Sequence, residues 1–385
     1  MAETSAQSAA TGERRPGRAR EAALRLCASV ASVALTLLLV ELGLRLFAPV
    51  PLHPTDTYLA RTDPSGRSGA MALMPLAATR HQTEEFDVAV RINSRGLRDR
   101  EIPLRKPEGA YRVLVLGDSQ TFGVGVEADE SYPKVAERRL QAQVGPRVEV
   151  LNAGVPSTGT AHQLYYLEQE GWKYQPDAVV VGFFYNDISN NGACRLYEVR
   201  GGKLVRAAEV TQARPRREIW ATDPGRRGVT LVREARPVQP PGPPFLVRHS
   251  HLARWVRERL SRIAQRGRTE EAPGARAREL TGSLFNELAA QCRQRRTRLL
   301  VVLIPSREQC ADRNLPDLSR LYGSLLTGVQ EPERTVVDLV KPFRARGHRS
   351  LYFPTDLHMT AAGHRLVGER LASRLLELEP RLRRR

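Results

Sequence analysis

Tyr111-Arg-Val-Leu-Val-Leu-Gly-Asp-Ser-Gln-Thr-Phe-Gly123 contains an uninterrupted apolar run, Val113–Leu116, which stops at Gly117 and presents Asp118 and Ser119 ahead of a helix-compatible segment. An apolar run bounded by glycine is the pattern of a parallel strand buried on both faces of an α/β sheet. Residues just past the carboxyl end of such a strand lie where open α/β sheets bind ligands. A serine hydroxyl there serves as a nucleophile if a histidine can take its proton. Read alone, Gly-Asp-Ser is an ordinary strand-to-helix turn with Asp118 or Ser119 as the cap.

A partner for the serine stands near the other end of the chain. Leu351-Tyr-Phe-Pro-Thr-Asp-Leu-His-Met-Thr-Ala-Ala-Gly-His364 precedes an amphipathic helix whose apolar stripe is Leu366, Val367, Leu371, Leu375 and Leu376. Thr360 is the expected N-cap, which leaves Asp356 and His358 in the loop before the helix. An aspartate two residues before a histidine can bond one ring nitrogen, fixing the tautomer and leaving the other nitrogen for a serine proton. His364 falls inside the helix and reads as structural.

Val148–Thr160 reads as a second strand ending in a small-residue loop, and Asp177–Asp187 as a third ending in Asn-Asp. Acyl transfer needs donors aimed at the oxyanion of a tetrahedral intermediate, and loop N–H groups with the Asn186 amide are suitable. Taken singly, Asn186 reads as an Asx-turn closing its strand. Further on, Glu279–Arg293 reads as a helix, Leu299–Ile304 as a fourth strand and Thr335–Leu339 as a fifth.

In order and spacing these four blocks resemble the SGNH (GDSL-type) hydrolase family, from roughly Tyr111 to the C-terminus with one insertion. The resemblance implies a three-layer α/β sandwich with a central parallel sheet of about five strands in flavodoxin-like order. It assigns Ser119 as nucleophile, His358 as general base, Asp356 as its orienting carboxylate and Asn186 as an oxyanion donor beside the Ser119 N–H. The family's oxyanion glycine falls at Ser157, which must then reach a conformation that glycine reaches more easily; Gly154 and Gly159 flank it as alternatives. The last block also departs from the family pattern. Asp356-Leu-His358 replaces Asp-x-x-His, with Thr355 in the usual aspartate position. That shorter spacing resembles a membrane-associated branch related to alginate O-acetyltransferases, where a serine ester passes to water or to a sugar hydroxyl. The function implied is a serine esterase acting on O-acyl bonds of a small-molecule, lipid or glycan substrate, without a cofactor. The alternatives are an O-acetyltransferase of an envelope polysaccharide with the same triad, and a non-catalytic glycan-binding protein on the same fold.

Upstream, Glu85–Arg98 alternates apolar and polar residues like a half-buried strand and turns at Asn93–Gly96, a lead-in of the kind that anchored bacterial members carry. Arg95 and Arg98 are candidates for the site mouth, although such arginines more often bond carbonyls. The 385 residues carry a net charge of +18, but no helix-turn-helix, zinc-finger or RNP-type signature accompanies it, so nucleic acid is not the expected partner. Arginine runs at Arg214–Arg217, Arg226–Arg227 and Arg381–Arg385 read as solvated surface suited to phospholipid head groups or acidic polysaccharides. The four cysteines allow at most one internal bridge among Cys194, Cys292 and Cys310, and no cysteine or histidine cluster suggests a metal.

Leu26–Phe47 is apolar enough and, at about 33 Å as a helix, long enough to match a bilayer core. Arg14, Arg15, Arg18 and Arg20 precede it, so the tail is expected to stay cytoplasmic and the remainder to be exported across a bacterial cell membrane. No small-x-small cleavage site follows, and Pro49 and Pro51 open a linker, which favours an uncleaved anchor over a signal peptide. The expected organisation is a basic tail at 1–21, an anchor at 22–48, a linker and β lead-in at 49–110, and the hydrolase-like domain at 111–385. An insertion at about 195–276 contains a Pro-rich stretch, Thr222–Pro244, and a helical stretch, Phe245–Ile263.

Overall fold

Five strands rich in valine and leucine build the sheet that organises the molecule: β1 Tyr111–Gly117, β2 Val148–Gly154, β3 Ala178–Phe183, β4 Arg298–Leu303 and β5 Val336–Asp338. They lie in the order β5-β4-β3-β1-β2, and every pairing is parallel. The chain thus starts mid-sheet, steps to the β2 edge, and returns past β1 to fill the other side. The reversal between β1 and β3 is the switch point at which doubly wound sheets open a ligand crevice.

The computed structural model describes residues 17–48, 54–61, 71–194, 196–207, 247, 249–266, 274–329 and 335–383. These fall into two compact units, Met1–Leu52 with Pro244–Gly267, and His53–Pro243 with Arg268–Arg385. The sheet belongs to the second. Both of its faces are covered, which is why β1 and β3 are buried at every position. On one face Leu114, Leu116, Val179 and Val181 pack with α2 (Thr160–Gln169) and α4 (Ala275–Gln294). On the other, Val113, Val115, Val180 and Val302 pack with α1 (Tyr132–Val144) and α5 (Ala361–Leu378). Helix α3 (Asn186–Ala193) follows β3 directly, and Thr360 caps α5 by accepting from the Gly363 N–H.

Three glycines stand in register across the carboxyl end of the sheet, Gly117 paired with both Gly154 and Gly182. A Cβ on Gly117 would lie 1.9 Å from Thr121 Oγ1, one on Gly154 2.3 Å from the Phe122 N, and one on Gly182 2.3 Å from the Tyr132 hydroxyl. The glycine row therefore makes room for the one-turn helix Ser119–Phe122 to fold back over the strand ends. Side chains there would displace Ser119.

Upstream, Ala78–Gln82 and Asp87–Arg91 form an antiparallel hairpin with alternating burial. Its apolar face forms a separate small core with Tyr58, Phe122 and Val124, against which Phe353 packs. Tyr58 stacks on Phe122 at 5.2 Å, and Phe86 meets Phe353 at 5.2 Å. A second hairpin, Tyr197–Arg200 with Lys203–Arg206, occupies the start of the expected insertion. Thr222–Pro244 and the runs Arg214–Arg217 and Arg226–Arg227 lie outside the described residues, as do Arg14, Arg15, Pro49 and Pro51.

In the first unit, Gly17–Phe47 is one helix, and its Arg20–Phe47 stretch is long and apolar enough to cross a membrane, with a mean hydropathy of 2.1. Glu41 pairs with Arg45 at 2.7 Å and accepts from the N–H groups of His251 and Leu252 at 3.0 and 2.8 Å, which caps the helix His251–Arg266. The cysteines are all unpaired thiols.

His364 is fully buried in α5, where its Nδ1 accepts from the Tyr132 N–H at 3.2 Å. Burial above all, then the charges of Arg98 and His358, pulls this imidazole down to about 3. An unfolded histidine takes its proton near pH 6.5, so the native state loses stability as pH falls from there towards 3. The wild type should therefore lose about 2 kcal/mol more than His364→Gln between pH 7 and pH 5. Urea unfolding of both proteins at the two pH values checks this; equal losses would contradict it.

Candidate active site

Ser119 opens its short helix directly after β1, and Asp118 is the N-cap, its Oδ1 accepting from the Gln120 N–H at 2.9 Å. The cap therefore fixes the backbone from which the serine projects. From the far end of the chain, His358 Nε2 lies 2.8 Å from Ser119 Oγ. Its Nδ1 contacts Asp356 Oδ1 directly, and its backbone N–H reaches the same oxygen at 3.3 Å. Serine, imidazole and carboxylate thus form one continuous hydrogen-bonded line at the switch point. With Nδ1 donating to the carboxylate, Nε2 is left as the acceptor for the serine proton.

Burial by itself would raise Asp356, but the His358 hydrogen bond and charge, and the charge of His81, hold its carboxyl below the usual range. It is ionised at neutral pH. The loop that carries the pair is tight. Leu357 sits at φ +68, a left-handed conformation that leucine adopts at a cost of about 1 kcal/mol. Phe353 N–H donates to the His358 carbonyl at 2.9 Å, Met359 N–H donates to Gln120 Oε1 at 3.2 Å, and Tyr352 and Met359 form an isolated bridge. The left-handed residue is what lets an Asp-x-His spacing turn its two side chains towards each other.

Asn186 is the first residue of α3, and its amide is close enough to Asp118 to favour the charged carboxylate. Its Oδ1 is buried without a partner among the described residues. Ser157 lies on the loop after β2, at φ +63. That loop is tied to the end of β1, since the Gly117 carbonyl accepts from the Val155 N–H at 3.0 Å and from Thr158 Oγ1 at 3.4 Å. Ser119, His358 and Asp356 are thus joined by direct hydrogen bonds, while Asn186 and Ser157 flank them on the neighbouring strand ends.

Behind the serine lies a buried acid pair. Burial drives the Asp118 carboxyl upward, opposed by the Gln120 N–H, the His358 charge and the Asn186 amide. Burial together with the Asp118 charge drives Asp187 well above its ordinary value. Like charges in a shared dry site disfavour joint ionisation, which is why the Asp118 charge pushes Asp187 upward. Arg98 does not line the mouth. It is fully buried, and its guanidinium donates to the carbonyls of Ala89, Phe122, Gly123 and Val126. Both terminal nitrogens are matched in this way, which offsets much of the cost of burying the guanidinium, while Nε has no partner among the described residues.

The description "GDSL-like Lipase/Acylhydrolase family" matches residues 115–366, a span that holds Ser119, Asn186, Asp356 and His358. The chain belongs to this family. As a GDSL-type hydrolase it is an enzyme of ester-bond hydrolysis. Similar solved structures include LAE5, an alpha/beta hydrolase enzyme from the metagenome of Lake Arreo, Spain, with 14% identity over 70% of this chain and 98% of that one, at a TM-score of 0.39. The lipase/acylhydrolase from Enterococcus faecalis shows 16% identity over 70% and 98%, at 0.36. The psychrotrophic esterase EstA from Pseudoalteromonas sp. shows 12% over 69% and 97%, at 0.36. No curated protein matches. Two residues that hold this candidate site together are not among those the sequence singles out. Gln120 holds Met359, and Glu85 accepts from the Thr355 and Asp356 N–H groups. Gln120 adjoins the serine and was open to suspicion on that ground. Glu85 carries no local signal.

Proposed function

We propose that the protein is an exported serine esterase, held at the membrane by the Arg20–Phe47 helix, that cleaves O-acyl esters through Ser119, His358 and Asp356. The observation that carries this reading is the 2.8 Å contact between Ser119 Oγ and His358 Nε2. Ser119 Oγ attacks the ester carbonyl while His358 Nε2 takes its proton, with Asp356 stabilising the imidazolium. The tetrahedral intermediate collapses: the alcohol leaves with the proton returned by His358, and an acyl-serine remains. Water, deprotonated by the same imidazole, then attacks the acyl carbon and releases the acid and free Ser119. The oxyanion of each intermediate is met by the Ser119 N–H, the Asn186 amide and the Ser157 N–H.

Because Ser157 contributes a backbone group in this mechanism, its side chain is dispensable. Ser157→Gly should keep kcat within about threefold and relieve up to about 1 kcal/mol of left-handed strain. A loss of tenfold or more in p-nitrophenyl acetate turnover would show that the hydroxyl itself takes part.

Turnover of p-nitrophenyl acetate by the full chain, with and without acetyl-accepting oligosaccharide, tests the reaction. Release of acetate that the oligosaccharide does not suppress supports hydrolysis. Acetylation of the oligosaccharide that outruns acetate release would overturn it in favour of transfer to a sugar hydroxyl.

A further inference from the structure

We infer that Glu85 is a positioning residue for this reaction, its carboxylate clamping the backbone of the loop that carries Asp356 and His358; the inference rests on the Ser119–His358–Asp356 reading. Glu85 Oε1 accepts from the Thr355 N–H at 2.9 Å, and Oε2 accepts from the Asp356 N–H at 2.6 Å. Two adjacent amide donors meeting both oxygens of one carboxylate form a bidentate, charge-assisted clamp. The backbone that carries the carboxylate is itself held. Glu85 sits at the tip of the hairpin Ala78–Gln82/Asp87–Arg91, where Thr83 Oγ1 accepts from the Glu85 and Phe86 N–H groups at 3.2 Å each. Next to it, Phe86 packs on Phe353, at the foot of the same loop.

The loop needs such a clamp. Its base is closed by the Phe353–His358 bond and the Tyr352–Met359 bridge, and its apex holds Leu357 at φ +68. A strained apex persists only where its surroundings over-determine it. Glu85 supplies two fixed points at the loop's leading side, immediately before the strained residue. Without them Thr355 and Asp356 turn their N–H groups to water, and Leu357 relaxes towards negative φ. That rotation swings Asp356 away from His358 Nδ1. The segment read as a linker and lead-in thereby forms part of the active centre, and the short Asp-x-His spacing works because the hairpin braces it.

The test uses the full chain in detergent micelles. kcat and KM for p-nitrophenyl acetate are measured for Glu85→Ala and Glu85→Gln, each normalised to the fraction of molecules that a fluorophosphonate labels. Glu85→Ala is expected to lower kcat per labelled site about 10²-fold with KM within twofold, since orientation rather than binding is lost. Glu85→Gln keeps one acceptor oxygen and should recover about tenfold of that loss. The inference is overturned if kcat per labelled site in either variant equals that of the wild type, including the case where only the labelled fraction falls, which is a merely structural role. Should Glu85→Ala not fold, the Glu85→Gln value decides. Ser119→Ala and His358→Ala run alongside keep the two readings apart: if they retain activity, the triad fails, whatever Glu85 does.

Discussion

Ser119→Ala should reduce kcat for p-nitrophenyl acetate by about 10⁴-fold or more, with the fold and KM largely preserved. The substitution removes one hydroxyl oxygen, and the Asp118 cap and glycine row that hold the turn are untouched. His358→Ala should fall to a similar rate, and the double variant to scarcely less. Residues that act as one unit cannot be lost twice. The measurement is turnover of the three variants on one substrate. A double variant much slower than either single one would mean that serine and histidine act separately, despite the 2.8 Å between them.

Asp356→Asn should cost about 10³–10⁴-fold in kcat, because an amide no longer holds the imidazole in the tautomer that leaves Nε2 free to accept. Thr355→Ala, at the position where the family more often places its aspartate, should stay within about threefold. Among the described residues, Thr355 reaches the site through its backbone N–H alone, which donates to Glu85. The contrast between neighbouring positions tests the Asp-x-His spacing. Comparable losses at both would place the orienting group elsewhere.

The sheet was legible because buried parallel strands are near-continuous apolar runs, and Val113–Leu116, Ala178–Phe183 and Leu299–Leu303 each carry one. The strand ends were legible through chemistry: Gly117-Asp-Ser119 and Asn186-Asp187 break those runs with groups a core does not accommodate unpaired. What sequence does not display is distance. Glu85 and Asp356 are 271 residues apart, and a glutamate before a half-buried strand looks like any polar hairpin tip. Asp118 was readable as a helix cap, which it is, but its burial against Asp187 depends on β1 and β3 lying side by side. Arg98 was ambiguous between a site mouth and a carbonyl anchor; the fold settles it, because four carbonyls converge where only a guanidinium could reach them all.

The proposed nucleophile is addressed without reference to any natural substrate by treating the full chain with a fluorophosphonate and mapping the adduct by peptide mass spectrometry. A single phosphonylated residue, Ser119, is expected, with the labelling rate falling at least about 10³-fold in His358→Ala. An adduct on another serine, or a His358→Ala protein labelled as fast as the wild type, would contradict the serine–histidine chemistry proposed for this chain.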